Sequence, residues 1–144
     1  MAMTYSDAAM DLVRQSEGLR LEAYADTGGV WTIGYGHTGP DVHAGMVITE
    51  AEAVALLRAD LQRAADGVSS LLRVPVSQGQ FDALVDFAFN LGLGSLAGST
   101  LLREINRGEM AAAADQFGLW VHDGGTVLPG LVARREAEEE LFRG

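Results

Sequence analysis

The sequence predicts a mostly α-helical α+β fold in two unequal lobes: a small N-terminal lobe built on a β-hairpin and a larger helical lobe, joined by a long helix with a cleft between them. Three observations predict it. Apolar residues recur at helical spacing through most of the chain, the period switches to alternation only around Leu21–Gly36, and a long one-sided helical stripe follows that switch. With 144 residues the chain suits one compact domain that buries roughly 70% of its unfolded surface. The expected organisation is therefore a single domain over 1–144, with a β lobe at about 17–48, a bridging helix at about 49–72, and a helical lobe at about 77–144 that also takes in an N-terminal helix at 6–17.

Ser6 suits an N-cap, and Ala9, Leu12, Val13 and Ser16 repeat at helical spacing until Glu17-Gly18, where Gly18 suits the left-handed residue that ends a helix. Leu21, Ala23 and Ala25 then alternate with Glu22 and Tyr24. A turn signal follows at Asp26-Thr27-Gly28-Gly29, and VWTIGYG resumes with β-branched and aromatic residues, so the stretch reads as a hairpin with a glycine-rich tip. Thr49 with Glu52 forms a capping box for a helix whose stripe runs Val54, Leu57, Leu61, Ala65, Val68 and Leu72. A second box, Ser77 with Gln80, opens QFDALVDFAFNLG. That segment is apolar nearly all round, which places it at the centre of the core. Shorter helices are expected at about Ser99–Asn106, Glu109–Val121 and Gly130–Phe142, with a turn-like break at Asp123-Gly124-Gly125.

Composition narrows the function classes. There is no cysteine, which excludes disulfides and thiolate metal sites. The net charge is −10 and every basic residue is an arginine, the opposite of a nucleic-acid footprint. Asp7 and Asp11 interrupt what a signal peptide would need, and no apolar run has the length of a membrane span, so the chain is expected to stay in the cytosol after synthesis without membrane insertion.

Two carboxylates stand where chemistry needs them. Glu17 falls on a last helical turn, where the negative end of the helix dipole disfavours a charged carboxylate and suits a general acid. Asp26 falls on a solvated turn among backbone amides, an environment that keeps it ionised. Thr32 lies on the returning strand, and folding the hairpin over the helix end brings all three to one cleft, Thr32 holding a water beside Asp26. One carboxyl that donates a proton and a second that stays charged are what glycosidic-bond hydrolysis requires. Taken singly, each acid is also an ordinary turn-former or surface residue.

His37, between Gly36 and Thr38, reads as a structural hydrogen-bonder that ties the small lobe to the bridging helix through Asp60. His37, Asp41 and His43 together offer an alternative zinc cluster, but their spacing matches no strong ligand pattern and Pro40 interrupts it, so neither metal nor cofactor is expected. His122 reads as surface. The sequence holds no G-x-S-x-G elbow, phosphate-binding loop or dinucleotide fingerprint.

Glu17-Gly18, then YADTGGVWTIGYGHTG, FDALVDFAFNLGLGSLAGSTLL, NRGEMAAAADQFGLW and GLVARREAE follow one another in an order that resembles the phage endolysins of the T4 lysozyme type, in the texture of their lambdoid-phage branch. The resemblance runs from about residue 6 to 142, and its E-x8-D-x5-T spacing is specific. It implies a lysozyme-like fold and a muramidase, a glycoside hydrolase that cuts the β-1,4 bond between N-acetylmuramic acid and N-acetylglucosamine in bacterial peptidoglycan with inversion. Carried over, Glu17 matches the acid, Asp26 the second carboxylate and Thr32 the third catalytic position. Tyr24, Phe89 and Asn90 match cleft positions for substrate, and Arg134 or Arg135 of GLVARRE reaches the Glu17 region to hold the acid's geometry. The resemblance further implies a monomer that accumulates in the host cytosol and reaches the periplasmic wall after a holin opens the membrane. A lytic transglycosylase and a lysozyme-like wall-binding or structural module without turnover are the competing readings. A sequence pI near 4.5 departs from the basic character of many such enzymes and predicts slower encounter with an anionic wall at low salt.

Overall fold

A computed structural model describes residues 3–144. Helix α1 spans Asp7–Glu17; Ser6 caps it, its hydroxyl accepting from the Ala8 amide at 3.4 Å, and Gly18 ends it at φ 70°. Ser6 is itself anchored, its backbone N–H donating to Asp82 Oδ1 at 2.8 Å and its hydroxyl donating to Asp82 Oδ2. The chain then enters a three-stranded antiparallel sheet in the order β1 (Arg20–Ala25), β2 (Trp31–Gly34), β3 (His37–Thr38). Tyr24 pairs with Thr32 and Thr32 with Thr38, so this row of side chains shares one face; the β1–β2 register shifts between Arg20 and Tyr24.

Helix α2, Glu50–Leu71, carries the full Thr49–Glu52 capping box and buries Ala53, Leu57, Leu61, Ala65 and Val68. It packs on β2 and β3 and also on α3 (Gln78–Leu91) and α4 (Leu93–Ala97), so it bridges sheet and helical lobe. At Gly34 in β2 a Cβ would come within 3.4 Å of Ala53, which shows how closely the sheet lies on α2. Helix α3, Gln78–Leu91, opens on the Ser77–Gln80 box and is buried from Phe81 to Ala88. It packs against α1, α2, α4 and α7 (Pro129–Arg143), the position its all-round apolarity predicts. Phe87 sits edge-on to Phe117 and Trp120, with ring centroids 6.0 and 5.3 Å away.

The helical lobe is more broken than its periodicity predicts. A short α4, Leu93–Ala97, precedes α5, Thr100–Asn106, which Ser99 caps. The helix expected through Val121 stops as α6 at Met110–Ala114. The Gln116 amide there reaches back only to the Ala113 carbonyl, and a 3-10 turn at Phe117–Leu119 swings Phe117 into the core. The turn-like stretch after it is a second hairpin, β4 (His122–Asp123) with β5 (Thr126–Val127), closed by Gly124 and Gly125, both at positive φ. Two such residues make the tight hairpin turn that matches strand twist, so the sheet near the N-terminus has a companion. No described helix is long and apolar enough to cross a membrane.

Candidate active site

Glu17 ends α1 beside the β2–β3 turn. Gly36 in that turn is at φ 76°, and a Cβ on it would lie 3.0 Å from the Glu17 carboxyl, so only glycine lets the turn close on the acid. From the other side, Arg134 of α7 brings Nη1 to 3.6 Å from Glu17 Oε1. Gly36 also lines a cavity of about 360 Å³, with Thr38 from the sheet, Asp60 and Arg63 from α2, Phe89 from α3 and Leu93 from α4. Glu17 is therefore at the edge of a cleft between the two lobes.

Asp26 is held by its own turn. Its Oδ1 accepts from the amides of Gly28 at 2.9 Å and Val30 at 2.8 Å, while Oδ2 takes no hydrogen bond from the described residues. Gly29, at φ 80°, lets the chain double back so that its amide donates to the Asp26 carbonyl. Thr32 is buried on β2 and its hydroxyl donates to the Val30 carbonyl at 3.0 Å. With that proton committed, Thr32 Oγ1 presents acceptor lone pairs, as Asp26 Oδ2 does. The Tyr24–Thr32–Thr38 row places both Tyr24 and Thr32 on the face where Thr38 lines the cleft. The Arg20 guanidinium lies over the Tyr24 ring, 4.3 Å from its centroid.

His37 has both ring nitrogens engaged, Nδ1 2.7 Å from Asp60 Oδ2 and Nε2 3.0 Å from Asp41 Oδ2. Burial alone lowers its affinity for a proton, but the hydrogen bonds to Asp60 and then Asp41 outweigh burial and raise it above the ordinary histidine value. The doubly protonated ring then donates to both carboxylates, and Arg63 donates to the second oxygen of Asp60 at 2.9 Å. His43 is exposed and its Nδ1 faces the Ala44 carbonyl at 3.1 Å. Among the described residues no group of three or more histidines and carboxylates could hold a metal ion.

The two arginines of the sequence pattern part company, because neighbours on a helix point about 100° apart. Arg134 faces Glu17 and forks onto Asp86, with Nε and Nη2 at 2.9 and 2.8 Å. Arg135 turns into the core. Its Nη2 donates to Glu138 Oε2 at 3.1 Å and to Asn90 Oδ1 at 2.5 Å, and its guanidinium lies 5.3 Å from the Phe87 ring centroid. Its Nε is 2.9 Å from Glu138 Oε1, but off the line of a hydrogen bond. The oxygen of Asn90 thus accepts from Arg135, and Asn90 is not among the residues that line the cavity, where Phe89 next to it is. Reasoning from sequence missed Asp86 and Glu138, both fully buried. Their signal was Asp86 inside an all-round apolar helix, four residues from Asp82, and an acid at a helical step from each of two adjacent arginines.

A helical lobe facing a small sheet across a cleft, with a glutamate at a helix end and an aspartate on the sheet's turn, defines a lysozyme-fold protein. The chain belongs to the phage lysozyme family, whose profile matches residues 14–138. It is similar to the endolysin of Salmonella phage P22, 44% identical over 144 residues that cover 97% of this chain and 98% of that one. It is also similar to the endolysin of Bacillus phage B103, 51% identical over 142 residues, although the chain spans only about half (54%) of that protein's length. Among solved structures, the muramidase domain of SpmX from Asticaccaulis excentricus superposes with a TM-score of 0.91 at 39% identity, covering 98% of each chain. A mutant of P22 lysozyme gives 0.86 at 42% identity, covering 99% of each. The lambdoid texture of the sequence agrees with both P22 matches.

Proposed function

We propose that the chain degrades bacterial peptidoglycan as a phage endolysin, by muramidase hydrolysis of the β-1,4 bond between N-acetylmuramic acid and N-acetylglucosamine. The observation that carries this reading is the Glu17 carboxyl at the cleft edge, enclosed by Gly36 and by Arg134 at 3.6 Å. Glu17 is the general acid that protonates the leaving oxygen. A water that donates one proton to Asp26 Oδ2 and the other to Thr32 Oγ1 turns its lone pair toward the anomeric carbon, and Asp26 receives the proton as the bond to carbon forms. Attack from the face opposite the leaving group inverts the centre. Phe89 and Tyr24 offer apolar faces to sugar rings, and His37 with Asp60 fixes the sheet on α2.

The reading extends, as the family resemblance implies, to a monomer that reaches the wall once a holin has opened the host membrane; lysis on expression without a holin would remove that part. The main test is Glu17→Gln assayed against permeabilised Gram-negative cells, with mass spectrometry of the fragments that the wild-type protein releases. The variant stays folded and loses about 10²–10⁴-fold in rate, and wild-type fragments carry reducing muramic acid ends. Anhydromuramyl ends identify a lytic transglycosylase, and full activity in Glu17→Gln overturns the acid assignment. A wild-type protein that binds walls and releases nothing is a wall-binding module.

A further inference from the structure

Behind Glu17 the helical lobe holds a set of charges that hydrolysis as described does not use. Arg134 commits two nitrogens to Asp86 in a bidentate fork and leaves Nη1 at 3.6 Å from Glu17, beyond hydrogen-bond reach. A guanidinium beside a carboxylate ordinarily closes to about 2.7–2.9 Å. Here Asp86, fully buried on α3, occupies the fork that Glu17 would otherwise fill. Burial, and behind it the Asp86 carboxylate, pushes Glu138 well above the ordinary carboxylate range. For Asp86 burial acts the same way, but the Arg134 fork and the hydrogen bond from Glu138 prevail and hold it below that range. A charge is thus disfavoured on Glu138 and favoured on Asp86, and Asp86 is the carboxylate matched to Arg134.

We propose that Asp86 is a positioning residue for bond cleavage: it takes the Arg134 fork and holds the guanidinium beyond hydrogen-bond reach of Glu17, the group that serves the leaving oxygen. This rests on the reading of Glu17 as general acid. Arg134 faces the Glu17 carboxyl from α7, with Asp86 and Glu138 behind, and the β2–β3 turn presents only Gly36. On its own helix, Arg14 is drawn off to the Tyr35 ring at 5.3 Å. Loss of the Asp86 charge removes the fork that holds Arg134 and frees its guanidinium to close on Glu17.

The test is the pH profile of kcat/KM for the wild type, Asp86→Asn and the double variant Asp86→Asn/Arg134→Gln, each checked for folding by circular dichroism, with Glu17→Gln as control. In Asp86→Asn the alkaline limb moves to lower pH by about one unit, the size of a charge uncovered at this range. In the double variant it returns to the wild-type position, since charges that cancel at Glu17 leave no trace when removed together. The double variant removes Arg134 and its buried partner together, so it carries the test even if Asp86→Asn does not fold. An unmoved limb in Asp86→Asn overturns the proposal, and so does a double variant whose limb rises about one unit above wild type, because Arg134 then reaches Glu17 unneutralised. Activity retained by Glu17→Gln defeats the underlying acid reading instead, whatever the Asp86 variants do.

Discussion

In the sheet, Asp26 and Thr32 are held by bonds that reach two to four residues along the chain: Asp26 to Gly28 and Val30, and Thr32 to Val30. In the helical lobe, Arg134 reaches 48 residues to Asp86 and Arg135 reaches 45 to Asn90, with Arg134, Arg135 and Asp86 all buried. The first region orients its groups through local turn chemistry, Asp26 at a solvated edge and Thr32 on the strand behind it, and little of the fold depends on those bonds. The second makes geometry at Glu17 and stability of the core a single property, because a buried ion cannot lose its partner without a large desolvation cost. Substitutions in the sheet should therefore separate activity from stability, and substitutions in the buried cluster should not.

The sharpest break of that contrast, and the largest effect, is Arg135→Ala. It removes a fully buried guanidinium from Glu138, Asn90 and the Phe87 face, and leaves both a cavity and unpaired polar atoms. We expect a loss of about 3–5 kcal/mol in urea unfolding, with activity falling in step with the folded fraction. A loss under about 1 kcal/mol would mean that Arg135 behaves as a surface ion pair does, and the contrast between the lobes would collapse.

The same difference in range explains what the sequence made legible. The caps at Ser6, Thr49 and Ser77 and the stop at Gly18 are decided within four residues, so they can be read directly and the helices begin where they predict. The hairpin tip at Asp26–Gly29 is equally local. Helix α6 ends early because burying Phe117 beside Phe87 and Phe142 outweighs a periodic pattern that continues past it. The β4–β5 hairpin carries a local signal in its two glycines, which marks a turn, but its two-residue strands are too short to show alternation. The Asp86 and Glu138 cluster had no local signature beyond misplaced charge. Which acid meets which arginine depends on how α3 and α7 dock, and spacing alone left Arg134 and Arg135 equivalent until the helix turned one to the cleft and the other to the core.

Asp26→Asn sharpens the comparison from the sheet side. The amide oxygen still accepts from Gly28 and Val30, so the turn persists and the melting temperature stays within about 4 °C of wild type. Hydrolysis falls by about 10²-fold or more, since a neutral amide neither takes up the proton of the attacking water nor balances positive charge at the anomeric carbon. Turbidity clearing alongside a thermal melt reads both quantities. A large drop in melting temperature with little loss of rate would reverse the assignment and make Asp26 a structural residue.

The smallest expected effect lies where the two regions meet. His37 on β3 is tied to Asp60 on α2, and its affinity for a proton is raised in the folded protein. A folded state that holds this proton more tightly than the unfolded chain is favoured most fully below the unfolded value of about 6.5. That contribution is lost as pH rises through the higher folded value. Urea midpoints measured from pH 6 to 9 should therefore decline more steeply for the wild type than for His37→Asn, whose side chain keeps hydrogen bonding without titrating. The excess decline belongs to the contact between sheet and α2, so it should appear equally in the exchange protection of amides in β3. Parallel midpoints in the two proteins would show that neutral His37 holds the lobes as well as the charged ring does, and that packing of Gly34 on Ala53, rather than the ion pair, joins them.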